Sequence, residues 1–157
     1  MALIIEDGTG KTNSDSYASE AELAAYALKR GVTIDGTDTQ LLIKAMDYLE
    51  QQNFKGTKGT KEQALQWPRF DVIIDSYWID TDEIPLLLKE AQMEYALSID
   101  SGTDPSETIG RTVKKEKVSS IEVEYMDGAN DSPFIRAASQ KLRKLLKVGG
   151  SLMVSRA

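Results

Sequence analysis

Apolar residues return at helical spacing in four separate segments of this chain and switch to strict alternation in one. That change of period limits the fold more than any other feature of the 157 residues. Ser19 and Glu22 form a capping-box pattern, and Leu23, Tyr26 and Ala27 follow at i, i+3, i+4 until Gly31, which predicts a helix over 19–30. After the turn-like Asp35-Gly-Thr-Asp38, Leu42, Ala45, Met46 and Leu49 predict a second helix over 38–53. A short helical pattern at 61–66 must stop at Trp67, because Pro68 disfavours the α region for its predecessor, and 67–80 reads as irregular or weakly extended. Thr81 or Asp82 caps the next helix, about 83–99. Pro85 then falls in its first turn, and Ile84, Leu88, Ala91 and Tyr95 form its buried stripe.

The period of two belongs to Ile121, Val123 and Tyr125, which alternate with Glu122 and Glu124; Val113–Val118 supplies the partner strand, with the turn near Ser119-Ser120. A last helix over 132–147 puts Ile135, Ala138, Leu142 and Leu145 on one face and Arg136, Lys141, Arg143, Lys144 and Lys147 on its surface. Residues 101–108 read as a loop, and Gly149-Gly150 releases a short tail. The expected fold is mainly α: one domain over 1–157, a four-helix bundle with a β-hairpin inserted at about 111–125 and extended termini.

Composition removes whole classes of chemistry. With no Cys and no His, zinc ribbons, thiol nucleophiles and Ser-His-Asp triads are excluded. The apolar start, Ala2-Leu-Ile-Ile5, gives way to two acids and is too short for a signal-peptide core or a membrane span, so the expected site of synthesis is the cytoplasm. The formal charge of −6 hides an asymmetry: residues 1–108 carry 9 basic and 20 acidic residues, net −11, whereas 109–157 carry 10 and 5, net +5. A strand-coating protein draws affinity from neutralised phosphates, and the acidic majority opposes that.

Four segments are candidates for chemistry. Gly8-Thr-Gly-Lys-Thr12 ends like a phosphate-binding loop, but Ile5 stands where the first glycine is required, so the segment reads as a turn. Asp71, Asp75, Asp80, Asp82 and Glu83 could offer oxygen ligands to a hard cation, yet no EF-hand spacing is present and solvated loop charge accounts for them; no metal and no cofactor is expected. Lys55, Lys58, Lys61, Trp67 and Arg69 interleave aromatic and basic residues as single-strand binding would require. Alternatively, Phe54, Trp67 and Phe70 staple the loop to the core. Finally, the hairpin and the 149–157 tail could add strands to neighbouring chains.

The order of several pieces resembles a family of small tailed-bacteriophage proteins. They are Glu6-Asp-Gly-Thr-Gly, Asn13-Ser-Asp-Ser-Tyr17, Ala45-Met-Asp-Tyr-Leu49, Gln63-Ala-Leu-Gln-Trp-Pro-Arg69, Asp82-Glu-Ile-Pro85, Lys114-Lys-Glu-Lys-Val118 and Ile121-Glu-Val-Glu-Tyr125. Members are labelled DnaT-like single-stranded-DNA-binding proteins, and the same pattern is similar to head-tail connector (adaptor, head-completion) proteins. The two labels imply different functions, and the acidic body favours the connector. That resemblance implies a non-enzymatic virion structural protein at the head-tail interface. It would form a homo-oligomeric ring, a twelve-mer, that binds the portal and a tail, stopper or nozzle protein, with DNA passing through the lumen without specific binding and no membrane involved. Under it, Leu152, Met153, Val154 and Arg156 dock into the portal, and Val113, Lys115, Lys117, Ile121, Val123 and Tyr125 contact neighbouring subunits or the tail. The alternative is a phage DnaT-like single-stranded-DNA-binding replication protein, with Lys55, Lys58, Lys61, Trp67 and Arg69 on the strand.

Overall fold

The computed structural model describes residues 2–103 and 135–147, together with the backbone of Val113–Lys117 and Glu122–Tyr125. Its helices are α1 (Glu20–Lys29), α2 (Asp38–Leu49), α3 (Leu86–Asp100) and α4 (Arg136–Leu142). Its strands are β1 (Thr57–Lys58), β2 (Arg69–Phe70), β3 (Ile73–Ile74), β4 (Tyr77–Trp78), β5 (Val113–Lys117) and β6 (Glu122–Tyr125). The strands form three two-stranded antiparallel ribbons, β1–β2, β3–β4 and β5–β6.

α1 starts where the capping box sets it: the Ser19 hydroxyl accepts from the Glu22 N–H, and the Glu22 carboxylate accepts from the Ser19 N–H. α3 starts later than its apparent caps suggest. Pro85, not Thr81 or Asp82, occupies the N-cap position, because a residue that precedes proline is pushed out of the α region and Ile84 therefore cannot be helical. α3 is also buried on more than one side. Leu88, Ala91 and Tyr95 lie in the core, and so do Gln92, Met93, Ala96 and Leu97, since α1, α2 and α4 all pack against it or share its core.

Gln92 is a fully buried amide with every hydrogen-bonding position used. Its Oε1 accepts from the Tyr17 and Ala18 N–H groups at 3.1 and 3.0 Å, while its Nε2 donates to Ser16 Oγ at 2.7 Å and the Leu42 carbonyl at 3.2 Å. One side chain thereby ties the N-terminal segment to α2 and α3.

Two expected helices change. No helix forms at 61–66, because the backbone there is claimed by other partners. The Gln63 amide accepts from the Thr60 N–H and donates to the Leu65 and Pro68 carbonyls, and the Ala64 N–H donates to the Lys11 carbonyl at 2.8 Å. The last helix, expected over 132–147, runs only Arg136–Leu142 among the described residues. Beyond it the chain pairs with the segment after α2: the Lys55 N–H donates to the Leu145 carbonyl and the Lys147 N–H to the Asn53 carbonyl, each at 2.9 Å, around a Phe54–Leu146 bridge. The stretch 67–80, expected to be irregular or weakly extended, supplies the three two-residue strands β2, β3 and β4.

β5 and β6 lie within the predicted hairpin, in the register Val113 with Tyr125, Lys115 with Glu124, Glu116 with Val123 and Lys117 with Glu122. Ile121, the turn at 119–120, the loop at 104–108 and the tail with Leu152, Met153, Val154 and Arg156 lie outside the described residues.

Candidate nucleic-acid interface

The β3–β4 ribbon is built on a two-residue turn, Asp75-Ser76, with both φ angles positive (51° and 72°), the twist that matches a tight antiparallel pair. Val72 is buried, and Ile74 and Ile79 pack on the core, so the ribbon is held at its base. Two residues per strand give too little surface to cover its aromatics. Tyr77 is 76% and Trp78 67% exposed, and Phe70 and Ile73 are also open to solvent. Trp78, on the face of Ile73, and Tyr77, on the face of Ile74, thus stand exposed on the two sides of one short ribbon, and large aromatics left open in this way mark a candidate site of contact. The turn is bound to the segment just past α4 by Lys144, whose Nζ lies 2.5 Å from Asp75 Oδ2.

The residues that sequence reasoning placed on a strand divide into two groups. Trp67 has no exposed surface and packs edge-on against Phe54, with ring centroids 6.2 Å apart. Arg69 is 7% exposed and spends its guanidinium on the protein's own backbone. Nε donates to the Lys55 carbonyl (2.6 Å), Nη1 to the Gln66 carbonyl and Oε1 (3.1 and 2.9 Å), and Nη2 to the Gly56 and Phe54 carbonyls (2.9 and 3.5 Å). A guanidinium has five N–H groups, and these five contacts use them all. Both residues therefore leave the candidate strand site and become its scaffold. Lys55, Lys58 and Lys61 stay at the surface, half-buried for the first two and exposed for Lys61, which pairs with Glu62 at 3.4 Å.

Sequence reasoning missed Tyr77 and Trp78. The signal was present: β-branched Ile73-Ile74 and aromatic Tyr77-Trp78 flank a two-residue Asp-Ser linker, a hairpin spacing. Beside the scaffold, the Tyr17 hydroxyl donates to Glu50 Oε1 at 2.7 Å and accepts from the Trp67 N–H at 3.1 Å. Burial raises the Glu50 carboxyl above the ordinary glutamate range, and burial together with the Glu50 charge raises the Tyr17 hydroxyl.

The glycine-rich segment is not a free turn but a filled anion nest. The buried Glu6 carboxylate accepts from the N–H groups of Gly8 and Gly10 (2.9 Å each) and Lys11 (2.8 Å), and from Ser14 Oγ (3.1 Å). Backbone donors that would cradle a phosphate are thus occupied by the chain's own acid. Gly8, at φ 104°, lies so close to the Asp82 carbonyl oxygen that a Cβ there would come within 1.7 Å, which excludes every other residue. Among the described residues no group of three or more Asp or Glu side chains is arranged to hold a metal ion, and no helix is long and apolar enough to cross a membrane.

Over residues 1–157 the sequence matches the family model described as "Putative DnaT-like ssDNA binding protein". The chain belongs to that family. No curated protein and no solved structure matches it. The match corrects the choice made between the two labels. The family is described by single-stranded-DNA binding and not by a place between portal and tail. The head-tail adaptor reading is therefore withdrawn, with its twelve-fold ring, its portal and tail partners and its unbound passage of DNA. Of the residues it invoked, Leu152, Met153, Val154, Arg156 and Ile121 lie outside the described residues, and Val113, Lys115, Lys117, Val123 and Tyr125 are described only as strand backbone.

Proposed function

We propose that this protein binds single-stranded DNA through the β3–β4 ribbon, with Trp78 and Tyr77 as stacking platforms for unpaired bases. Lys144, which meets Asp75 at the ribbon's turn, is the cation offered to the phosphates, and the four helices act together as the scaffold that presents the ribbon. The observation that carries the reading is the pair of adjacent aromatics left exposed next to Lys144 in a member of a family described by this activity. The acidic average does not oppose it. Stacking on an aromatic ring contributes about 1–3 kcal/mol per base and needs no net positive charge, because every base has a π-face. An acidic protein that binds in this way takes most of its affinity from bases and little from released counterions.

The test is fluorescence anisotropy with a labelled oligo-dT. Trp78→Ala is expected to weaken binding by about 5- to 150-fold, the equivalent of one lost stack of about 1–3 kcal/mol. Trp67→Phe, a change inside the scaffold, should leave affinity within about twofold, since Trp67 offers no face to a strand. Binding undiminished in a Tyr77→Ala/Trp78→Ala protein, or absent from the wild type at low salt, sinks the proposal.

A further inference from the structure

We infer that Asp75 is a built-in competitor for the strand's phosphates: it holds Lys144 in the free protein and so makes the site reject polyanions that bring no unstacked bases. The inference rests on the reading of the β3–β4 ribbon as the stacking site. Asp75 occupies the first central position of the turn, at φ 51°, immediately before Ser76, Tyr77 and Trp78. Its carboxylate lies 2.5 Å from Lys144 Nζ, and both side chains are more than half exposed. Such a surface pair is weak and screened by salt, so another oxyanion can displace it. A strand stacked on Trp78 or Tyr77 carries its phosphates past the same turn, where the Lys144 ammonium is held by Asp75.

Two features argue that the charge of Asp75, and not its conformation, is what matters. A left-handed turn position suits Asn at least as well as Asp, so the turn does not require a carboxylate. The ion pair also joins elements whose backbones are already fixed, since Val72 pairs with Ile79 at the base of the ribbon and Leu145 and Lys147 pair with Lys55 and Asn53. Displacement frees the Asp75 carboxylate beside the incoming phosphates, and that repulsion has to be met by stacking. A duplex, whose bases are already stacked on each other, has nothing to offset it. The arrangement thus discriminates by requiring bases.

The experiment measures binding of oligo-dT and of a duplex of equal length across a salt series for wild type, Asp75→Asn, Lys144→Gln and the double variant. Asp75→Asn should tighten oligo-dT, steepen its log–log salt dependence by about 0.7, as one further phosphate contact on a single strand requires, and raise duplex binding. The double variant should lose these gains, and Lys144→Gln alone should weaken oligo-dT, because it removes the ammonium the phosphates reach and leaves Asp75 unpaired beside them. Unchanged affinity and slope in Asp75→Asn, or a gain that survives Lys144→Gln, overturns the competitor role. If that occurs while Trp78→Ala still weakens binding, the stacking site stands without the competitor. If Asp75→Asn binds through Lys144 but Trp78→Ala has no effect, the competitor stands and stacking falls; no binding by any variant at low salt overturns both.

Discussion

The chain has two tryptophans, each close in sequence to basic residues, and the fold treats them in opposite ways. Trp67 lies against Phe54 with no exposed surface, and its neighbour Arg69 spends four donors on backbone carbonyls and the fifth on the Gln66 side-chain oxygen. Trp78 stands on a two-residue strand with two-thirds of its surface open, and the nearby Lys144 meets one exposed carboxylate. Residue type is nearly the same in the two places. What differs is whether the protein has already satisfied the basic neighbour's donors and whether enough chain surrounds the ring to cover it.

That contrast is most directly broken by truncation. Trp67→Ala should cost about 3–5 kcal/mol of folding stability, as removal of a large buried ring does, read from urea unfolding. Trp78→Ala should change the same transition by less than about 0.5 kcal/mol while weakening oligonucleotide binding as described above. If the stabilities of the two variants are equal, the division between scaffold and surface fails.

Arg69 gives the next largest effect. Arg69→Met keeps much of the apolar stem but leaves the Lys55, Gly56 and Gln66 carbonyls short of a donor, and is expected to cost about 1–3 kcal/mol. Arg69→Lys should recover only part of it, because one ammonium cannot span carbonyls arranged around a planar fork. A full recovery would mean that the charge, and not the geometry, holds this loop.

The position of α1 and the start of α2 were readable from the sequence, because Leu23, Tyr26 and Ala27 and then Leu42, Ala45, Met46 and Leu49 repeat at the spacing that a one-sided buried helix needs, although α2 stops at Leu49 and not at 53. Where reading failed, a side chain competed with the backbone pattern. The Lys11 carbonyl took the Ala64 N–H that a helix at 61–66 would have used, while the Gln63 side chain tied down the backbone on either side of it, and Glu6 turned an apparent loose turn into a closed nest. Neither long-range partner can be seen from local spacing. The candidate site was legible in kind and misplaced in detail: aromatic and basic residues were sought together, but nearness in sequence to Lys55, Lys58 and Lys61 favoured Trp67 over Trp78. The net charge misled for a related reason, since an average over the chain says nothing of a stacking surface that does not depend on it.

The smallest expected effect separates the scaffold's hydrogen bonds from its charge. Glu50 is half-buried, accepts from the Tyr17 hydroxyl, and has its carboxyl raised mainly by desolvation. A carboxyl whose folded pKa is raised adds stability below its unfolded value and loses that contribution as pH climbs through the folded one. At neutral pH the ionised Glu50 is thus a modest cost to folding. Glu50→Gln keeps an acceptor for Tyr17 and removes the charge, so its urea midpoint should lie above the wild type's at pH 7. The gap should narrow as pH falls through the raised carboxyl range and close below the ordinary glutamate range, where the wild-type side chain is protonated in both states. A wild type that is the more stable of the two at pH 7 would show that the ionised Glu50 is held by its neighbours, Lys58 and Arg69 among them, more strongly than burial penalises it.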